Sequence, residues 1–307
     1  MSLSAEQVAA YHRRGFLVED NVFTADEVAE LSDAVFAAID LDATTSARGV
    51  DEVVHILEIT PLHEAFARLA CEPRLLARVA ALIGDNVQLH HSKICAQPPV
   101  PDAGGFGWHQ DFSFNPHTNT DMLTIMVMLD DAGLDNGCML MIPGAHERGP
   151  LRHTIDGWHQ VGCTDPTQWS DESVHVPITP RAGGISIHHC LMLHGTGPNI
   201  TGAPRRGLTF HYRAGDAYQL AGEVFSDTGW QLLGERQDRI RCTLDRIELP
   251  RRHSWERVLG TANGPAAAAQ RGRHALALER CVKSGEGFDS RAFALAGLHR
   301  EQSAGAF

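Results

Sequence analysis

No stretch of this chain is long and apolar enough to cross a bilayer. The opening residues, Met1-Ser2-Leu3-Ser4-Ala5-Glu6, lack the basic and apolar regions of a secretory signal. A cytoplasmic protein without a membrane partner is therefore expected. Positive charge is scarce. With 26 Lys and Arg against 38 Asp and Glu, the formal charge of −12 argues against nucleic acid or an anionic surface as the main partner. The seven cysteines (Cys71, Cys95, Cys138, Cys163, Cys190, Cys242 and Cys281) are odd in number, scattered and without a CxxC pair. That argues against a zinc knuckle and fits reduced thiols. Internal repeats and low-complexity linkers are also missing. What remains is a chain of 307 residues, 43% hydrophobic, with ample material for a core. One domain over 1–307 is expected, with a mainly helical part at 1–84, a barrel core at 85–215 and a C-terminal extension at 216–307.

Ser4 reads as the N-cap of a helix running to about Arg14, and Thr24 with Glu27 as a capping box opening a second. Val28, Leu31, Ala34, Val35 and Ile39 recur there at helical spacing. A polar loop is expected over 40–51, then helices over 62–71 and 73–83, the last stopped by Gly84. After Gly84 the period changes from helical to two, and Val87, Leu89, His91, Lys93 and Cys95 share one face of a strand. Further strands are expected at 123–129, 138–142, 174–178, 184–188 and 207–213, with an irregular lid or substrate loop over 147–172. Short strands between Gly/Pro turns, with helices gathered at the front, predict a mainly β fold with flanking helices. The expected architecture is a double-stranded β-helix, a jelly-roll or cupin-like barrel. A loop plus a helix packed outside the barrel is expected over 262–307.

Within this frame, Gly107-Trp108-His109-Gln110-Asp111-Phe112 sets an imidazole and a carboxylate two residues apart. In extended backbone both point to one face, so His109 and Asp111 can grip one ion. Two ligands make a weak site. His194 in Leu193-His194-Gly195-Thr196-Gly197-Pro198-Asn199 is the best third ligand, with His188 and His189 as rivals. Two histidines and one carboxylate leave open positions and favour non-haem iron(II). His146, in the turn Pro143-Gly144-Ala145-His146, is expected to make a structural hydrogen bond.

Four motifs occur in order: Gly107-Trp108-His109-Gln110-Asp111, Asn136-Gly137-Cys138 through Pro143-Gly144-Ala145-His146, His194-Gly195-Thr196-Gly197-Pro198-Asn199, and Arg205-Arg206-Gly207-Leu208-Thr209-Phe210-His211-Tyr212. Over about residues 8–220 the set resembles the phytanoyl-CoA dioxygenase (PhyH) family of iron(II)/2-oxoglutarate oxygenases. The resemblance implies that His109, Asp111 and His194 bind iron(II), that Arg205 holds the far carboxylate of 2-oxoglutarate, and that Thr196 is the hydroxyl residue beside it. It also implies O2 as oxidant and stimulation by ascorbate. Two positions depart from the family pattern. Val127 stands where a tryptophan is frequent near the cosubstrate, and His55 stands where some members use a lysine to hold it. Lys93, on the His91 face of its strand, is a further candidate for the cosubstrate.

Strand parity supports Arg205 over Arg206. Leu208, Phe210 and Tyr212 form one face of the strand after Gly207, and Thr209, His211 and Arg213 the other. With the apolar face against helices, Arg205 shares the cavity side. Its guanidinium can pair with a carboxylate in bidentate fashion. The expected activity is hydroxylation, or other oxidation, of an unactivated C–H bond in a small, largely apolar metabolite, with release of succinate and CO2. Trp108, Phe114, His117, Met128 and Trp158 are the substrate candidates. Asp111 argues against halogenation, because enzymes of that type give up the carboxylate ligand. The alternatives are a non-oxidative metal-dependent cupin-like hydrolase or isomerase using zinc or manganese, and a non-catalytic ligand-binding barrel. A monomer or homodimer is expected.

Overall fold

The structure, a computed structural model, describes residues 2–43, 54–99, 105–221, 225 and 227–249. The loop and helix expected over 262–307 lie outside these residues. Helix α1 (Ala5–Arg14) starts on the Ser4 cap: the Gln7 amide donates to Ser4 Oγ at 3.2 Å, and the Ser4 amide to Gln7 Oε1 at 2.8 Å. Gly15 ends it at φ 83, a left-handed conformation that glycine adopts without strain. Strand β1 (Phe16–Glu19) follows. The Thr24–Glu27 capping box is present and opens α2 (Ala25–Ala43). This helix consumes the start of the loop expected from Asp40, and most of the remainder lies outside the described residues. Then come β2 (Val54–Leu57), α3 (Glu64–Ala70), α4 (Pro73–Ile83) and the long β3 (Val87–Gln97).

The barrel strands are β4 (Met122–Met128), β5 (Met139–Met141), β8 (Val176–Ile178), β9 (Ile185–His189), β10 (His194–Thr196) and β11 (Arg205–Ala214). Between β5 and β8 lies a small hairpin of β6 (Thr154–Ile155) and β7 (Trp158–His159), and β12 (Trp230–Leu233) comes last. A seven-stranded sheet runs β1-β9-β4-β11-β3-β12, with β2 also paired to β3, and a second sheet runs β10-β5-β8. All pairings are antiparallel. This is the mainly β jelly-roll architecture expected.

Alternation along β11 divides the molecule. Leu208, Phe210 and Tyr212 are fully buried with Val35, Phe66 and Val79 of the helices, forming the larger core. Each such side chain contributes about 1.5–3 kcal/mol through removal from water. The opposite parity, Arg205, Thr209 and His211, faces the interior between the sheets. Three features depart from expectation. The segment expected to begin a strand at Val174 is a short 3-10 turn over Glu172–Val174, and β8 starts at Val176. His194–Thr196, outside the strands expected, forms strand β10 paired with β5. Strands β2 and β12 both join β3, which neither local pattern indicated.

Candidate active site

His109 and His194 are brought together by backbone. The His109 amide donates to the His194 carbonyl at 2.8 Å, and the His194 amide returns the bond at 3.0 Å. Each ring is then held by its own turn. Nδ1–H of His109 donates to the Gly107 carbonyl (2.8 Å) and Nδ1–H of His194 to the Met192 carbonyl (2.9 Å). A carbonyl only accepts, so both Nε2 atoms are left unprotonated when the imidazoles are neutral, as metal ligation requires. Gln110 is extended, which turns Asp111 to the same side as His109. Asp111 Oδ1 stands 3.6 Å from His109 Nε2 and 3.9 Å from His194 Nε2. One ligand atom from each of the three lies within 4.8 Å of the others, and all three residues are buried.

The other carboxylate oxygen is occupied. Asp111 Oδ2 accepts from the Thr124 hydroxyl at 2.8 Å and from His188 Nε2–H at 3.1 Å. Thr124 Oγ1 is also 2.9 Å from His211 Nδ1. The rival His188 thus spends on Asp111 the nitrogen nearest the centre. The other rival, His189, accepts from the Leu191 amide and stands beside His146, away from the triad. His146 donates to the His12 carbonyl, the structural bond expected of it. Burial works to raise the Asp111 carboxyl. It is outweighed by the His109 and His188 imidazoles, which hold the group well below the usual carboxylate range. Burial pushes His194 and His211 well below the ordinary histidine value, so both are neutral.

Gln110 points the other way and ties the 147–172 loop to the motif. Its side chain donates to the Gly149 and Leu191 carbonyls and accepts from the Leu151 amide. The triad opens into a cavity whose wall includes His55, Lys93, Thr196, Arg205 and His211. Arg205 enters from the first residue of β11 and is only 4% exposed. Its Nε has no hydrogen-bond partner, and among the described residues no carboxylate is within ion-pair distance. Burial lowers its pKa. Arg206, one residue on, faces outward to Asp130 at 2.7 Å. Thr196 Oγ1 accepts from the Phe106 amide at 2.7 Å, and His55 Nδ1 lies 3.5 Å from Cys95 Sγ.

The substrate candidates scatter. Phe114 sits edge-on to His109, with ring centroids 5.6 Å apart. None of the five is part of the cavity wall. Trp108 stacks on Trp169 and packs against His175, His117 is buried beside His90, and Met128 belongs to the core between the sheets. Trp158, on the β6–β7 hairpin, is 38% exposed. Val127 is buried in the helix-side core, on the face of β4 opposite the cavity. Thr124 escaped the reading of the sequence, whereas His211 was placed on the cavity face of its strand without a role. The available signal was Thr124 on the inward face of β4, otherwise lined by methionine.

The phytanoyl-CoA dioxygenase (PhyH) family matches residues 11–207. A Stutzerimonas stutzeri protein named as a probable alpha-ketoglutarate-dependent hypophosphite dioxygenase is 31% identical over 240 residues, covering 71% of this chain and 81% of its own. Ectoine dioxygenase of Sphingopyxis alaskensis is 31% identical over 235 residues, covering 69% and 76%. The crystal structure of EctD from S. alaskensis with 2-oxoglutarate and 5-hydroxyectoine is 29% identical, covers 69% of this chain and 76% of its own, and superposes with a TM-score of 0.56. The carbocyclase SnoK from nogalamycin biosynthesis, 23% identical over 73% of this chain and 96% of its own, shares the fold with a TM-score of 0.61. This chain belongs to the phytanoyl-CoA dioxygenase (PhyH) family and is a 2-oxoglutarate-dependent non-haem iron dioxygenase.

Proposed function

We propose that the protein oxidises an unactivated C–H bond of a small metabolite by hydroxylation, releasing succinate and CO2, with His109, Asp111 and His194 as its iron ligands. One observation carries this reading: a buried arginine that has no carboxylate partner among the described residues opens into the same cavity as the three converging ligand atoms. An unpaired buried cation is costly, so the site calls for a carboxylate from outside the chain. The far carboxylate of 2-oxoglutarate answers that demand, with Thr196 beside it and His55 at the margin. Iron(II) with 2-oxoglutarate would, when bound, supply the electrons that activate O2 for the oxidation. The chain's own residues hold and orient. Thr124 and His188 fix Asp111 so that Oδ1 faces the two Nε2 atoms.

A zinc or manganese hydrolase would use the same three ligands and would leave Arg205 without a role. Phe106, Met126 and Met139 provide an apolar wall for the reacting carbon. Trp108, Met128 and Trp158, which suggested a largely apolar substrate, stand elsewhere. The relatives are named for ectoine, hypophosphite and phytanoyl-CoA, so their names prescribe no one substrate. The reading is tested with purified protein, iron(II), ascorbate and 2-oxoglutarate in air. Succinate should form with wild type and not with His194→Ala. Equal succinate from both would overturn the assignment.

A further inference from the structure

Lys93 projects from the centre of β3, opposite Thr209 of β11, into the cavity that holds the triad. Its Nζ lies 5.6 Å from the centroid of the Phe225 ring. That ring stacks on His91 at 4.0 Å, and His91 stacks on His211 at 3.8 Å. The ammonium therefore points to the His211 end of the cavity. Arg205, paired with Gln97, is four residues away along β11. At about 3.4 Å per residue that separates the two backbone positions by roughly 13 Å. Among the described residues, no carboxylate is within ion-pair distance of Lys93, and Asp111 is the sole carboxylate in the cavity wall.

The charges of the filled site then leave a remainder. This step rests on the function proposed above. The iron dication, Asp111 and Arg205 together carry two positive charges, and 2-oxoglutarate is a dianion that cancels them. Among the described residues, Lys93 stays uncompensated and half-buried. A partly desolvated cation is stabilised by an anion that enters with the substrate. We propose that the substrate carries an anionic group, a carboxylate or phosphonate, that pairs with Lys93 while its reacting carbon lies toward the triad. The aromatic face of Phe225 steadies the ammonium in this position.

The test uses the full chain loaded anaerobically with iron(II) and 2-oxoglutarate, titrated in a calorimeter. The probes are short straight-chain carboxylates paired with their primary amides, and alkylphosphonates paired with their dimethyl esters. The best anion should bind roughly ten- to a hundred-fold more tightly than its neutral partner, the range for hydrogen bonds to charged groups. Lys93→Met should abolish that preference while changing the dissociation constant of 2-oxoglutarate less than about threefold, as expected of uncoupled sites. Lys93→Arg should restore part of it, and Lys93→Gln replaces Lys93→Met if the latter does not fold. No preference for any anion in wild type overturns the inference. So does a Lys93→Met protein that keeps the preference and instead loses 2-oxoglutarate, because the lysine then serves the cosubstrate. Wild type that binds no 2-oxoglutarate overturns both the inference and the proposed function, whereas intact 2-oxoglutarate binding confines a failure to the inference.

Discussion

Two neighbouring arginines show how much one position in a strand decides. Arg205 is buried beside the triad without an anion, and Arg206 forms a partly exposed pair with Asp130. Removing one member of a buried charged pair costs about 3–5 kcal/mol. Arg205→Ala should therefore raise the KM for 2-oxoglutarate by about two to three orders of magnitude. Arg205→Lys should recover only part, because an ammonium lacks the guanidinium fork. Arg206→Ala should cost about 0–1 kcal/mol of stability, as surface pairs do, and leave that KM unchanged. Steady-state kinetics on the three variants checks all of this, and reversed behaviour of the two arginines would contradict the observed register. His188 makes a separate case. It orients Asp111 through Oδ2 and is placed to tune the metal without binding it. His188→Ala should weaken iron(II) binding by about 10–100-fold in an anaerobic titration, the effect of losing an outer partner. His194→Ala should remove binding altogether. Equal losses would promote His188 to a ligand.

At the scale of the element, the chain that delivers His109 must lie directly on β10. A Cβ added at Gly105 would stand 1.7 Å from the Thr196 carbonyl oxygen. Gly105→Ala should push the two segments apart, moving Thr196 and straining the His109–His194 bridge. Iron(II) affinity should fall while the far-UV spectrum is kept, and an unchanged affinity would show that the loop absorbs the methyl group. Local pattern made much of this scaffold legible. The capping boxes at Ser4 and Thr24 and the alternation along β3 and β11 are written in near neighbours, and parity alone separated Arg205 from Arg206. Partners across the sheet were not legible. Trp230–Leu233 joins β3 from more than a hundred residues away, and nothing in its own sequence names that partner. Nearness to the motifs offered Met128 as a substrate contact without telling that it lies in the packed core, outside the cavity wall. His188 was visible only as a rival ligand, because its contact with Asp111 Oδ2 cannot be read from local pattern.

For the whole molecule, buried histidines set the response to acid. Burial lowers His90 and His153 to about 4, and His117 and His189 to about 3, from an ordinary 6.5. Between pH 6.5 and about 4 the unfolded chain takes up protons that the folded one refuses, so stability falls as pH falls. Each histidine contributes about 1.4 kcal/mol per pH unit in that window. Glu58 acts in the opposite sense. Burial raises it to about 8, so stability declines as pH rises from 4.5 through that value. Four groups outweigh one below pH 6.5, and Glu58 acts without their opposition above it. Urea unfolding of the metal-free chain should therefore show greatest stability near pH 6.5, with a steep acid limb and a shallow alkaline one. Glu58→Gln should flatten the alkaline limb. A midpoint that stays level between pH 5 and 6.5 would mean that these histidines are protonated in the fold.

The account as a whole stands on the claim that three side chains and one arginine hold an iron and its cosubstrate. Anomalous diffraction at the iron edge, from crystals prepared anaerobically with iron(II) and 2-oxoglutarate, tests it most directly. The prediction is a single iron peak bonded to Nε2 of His109, Oδ1 of Asp111 and Nε2 of His194. The far carboxylate of the diacid should lie on the Arg205 guanidinium. An iron bonded to His188, or a diacid seated away from Arg205, would contradict it.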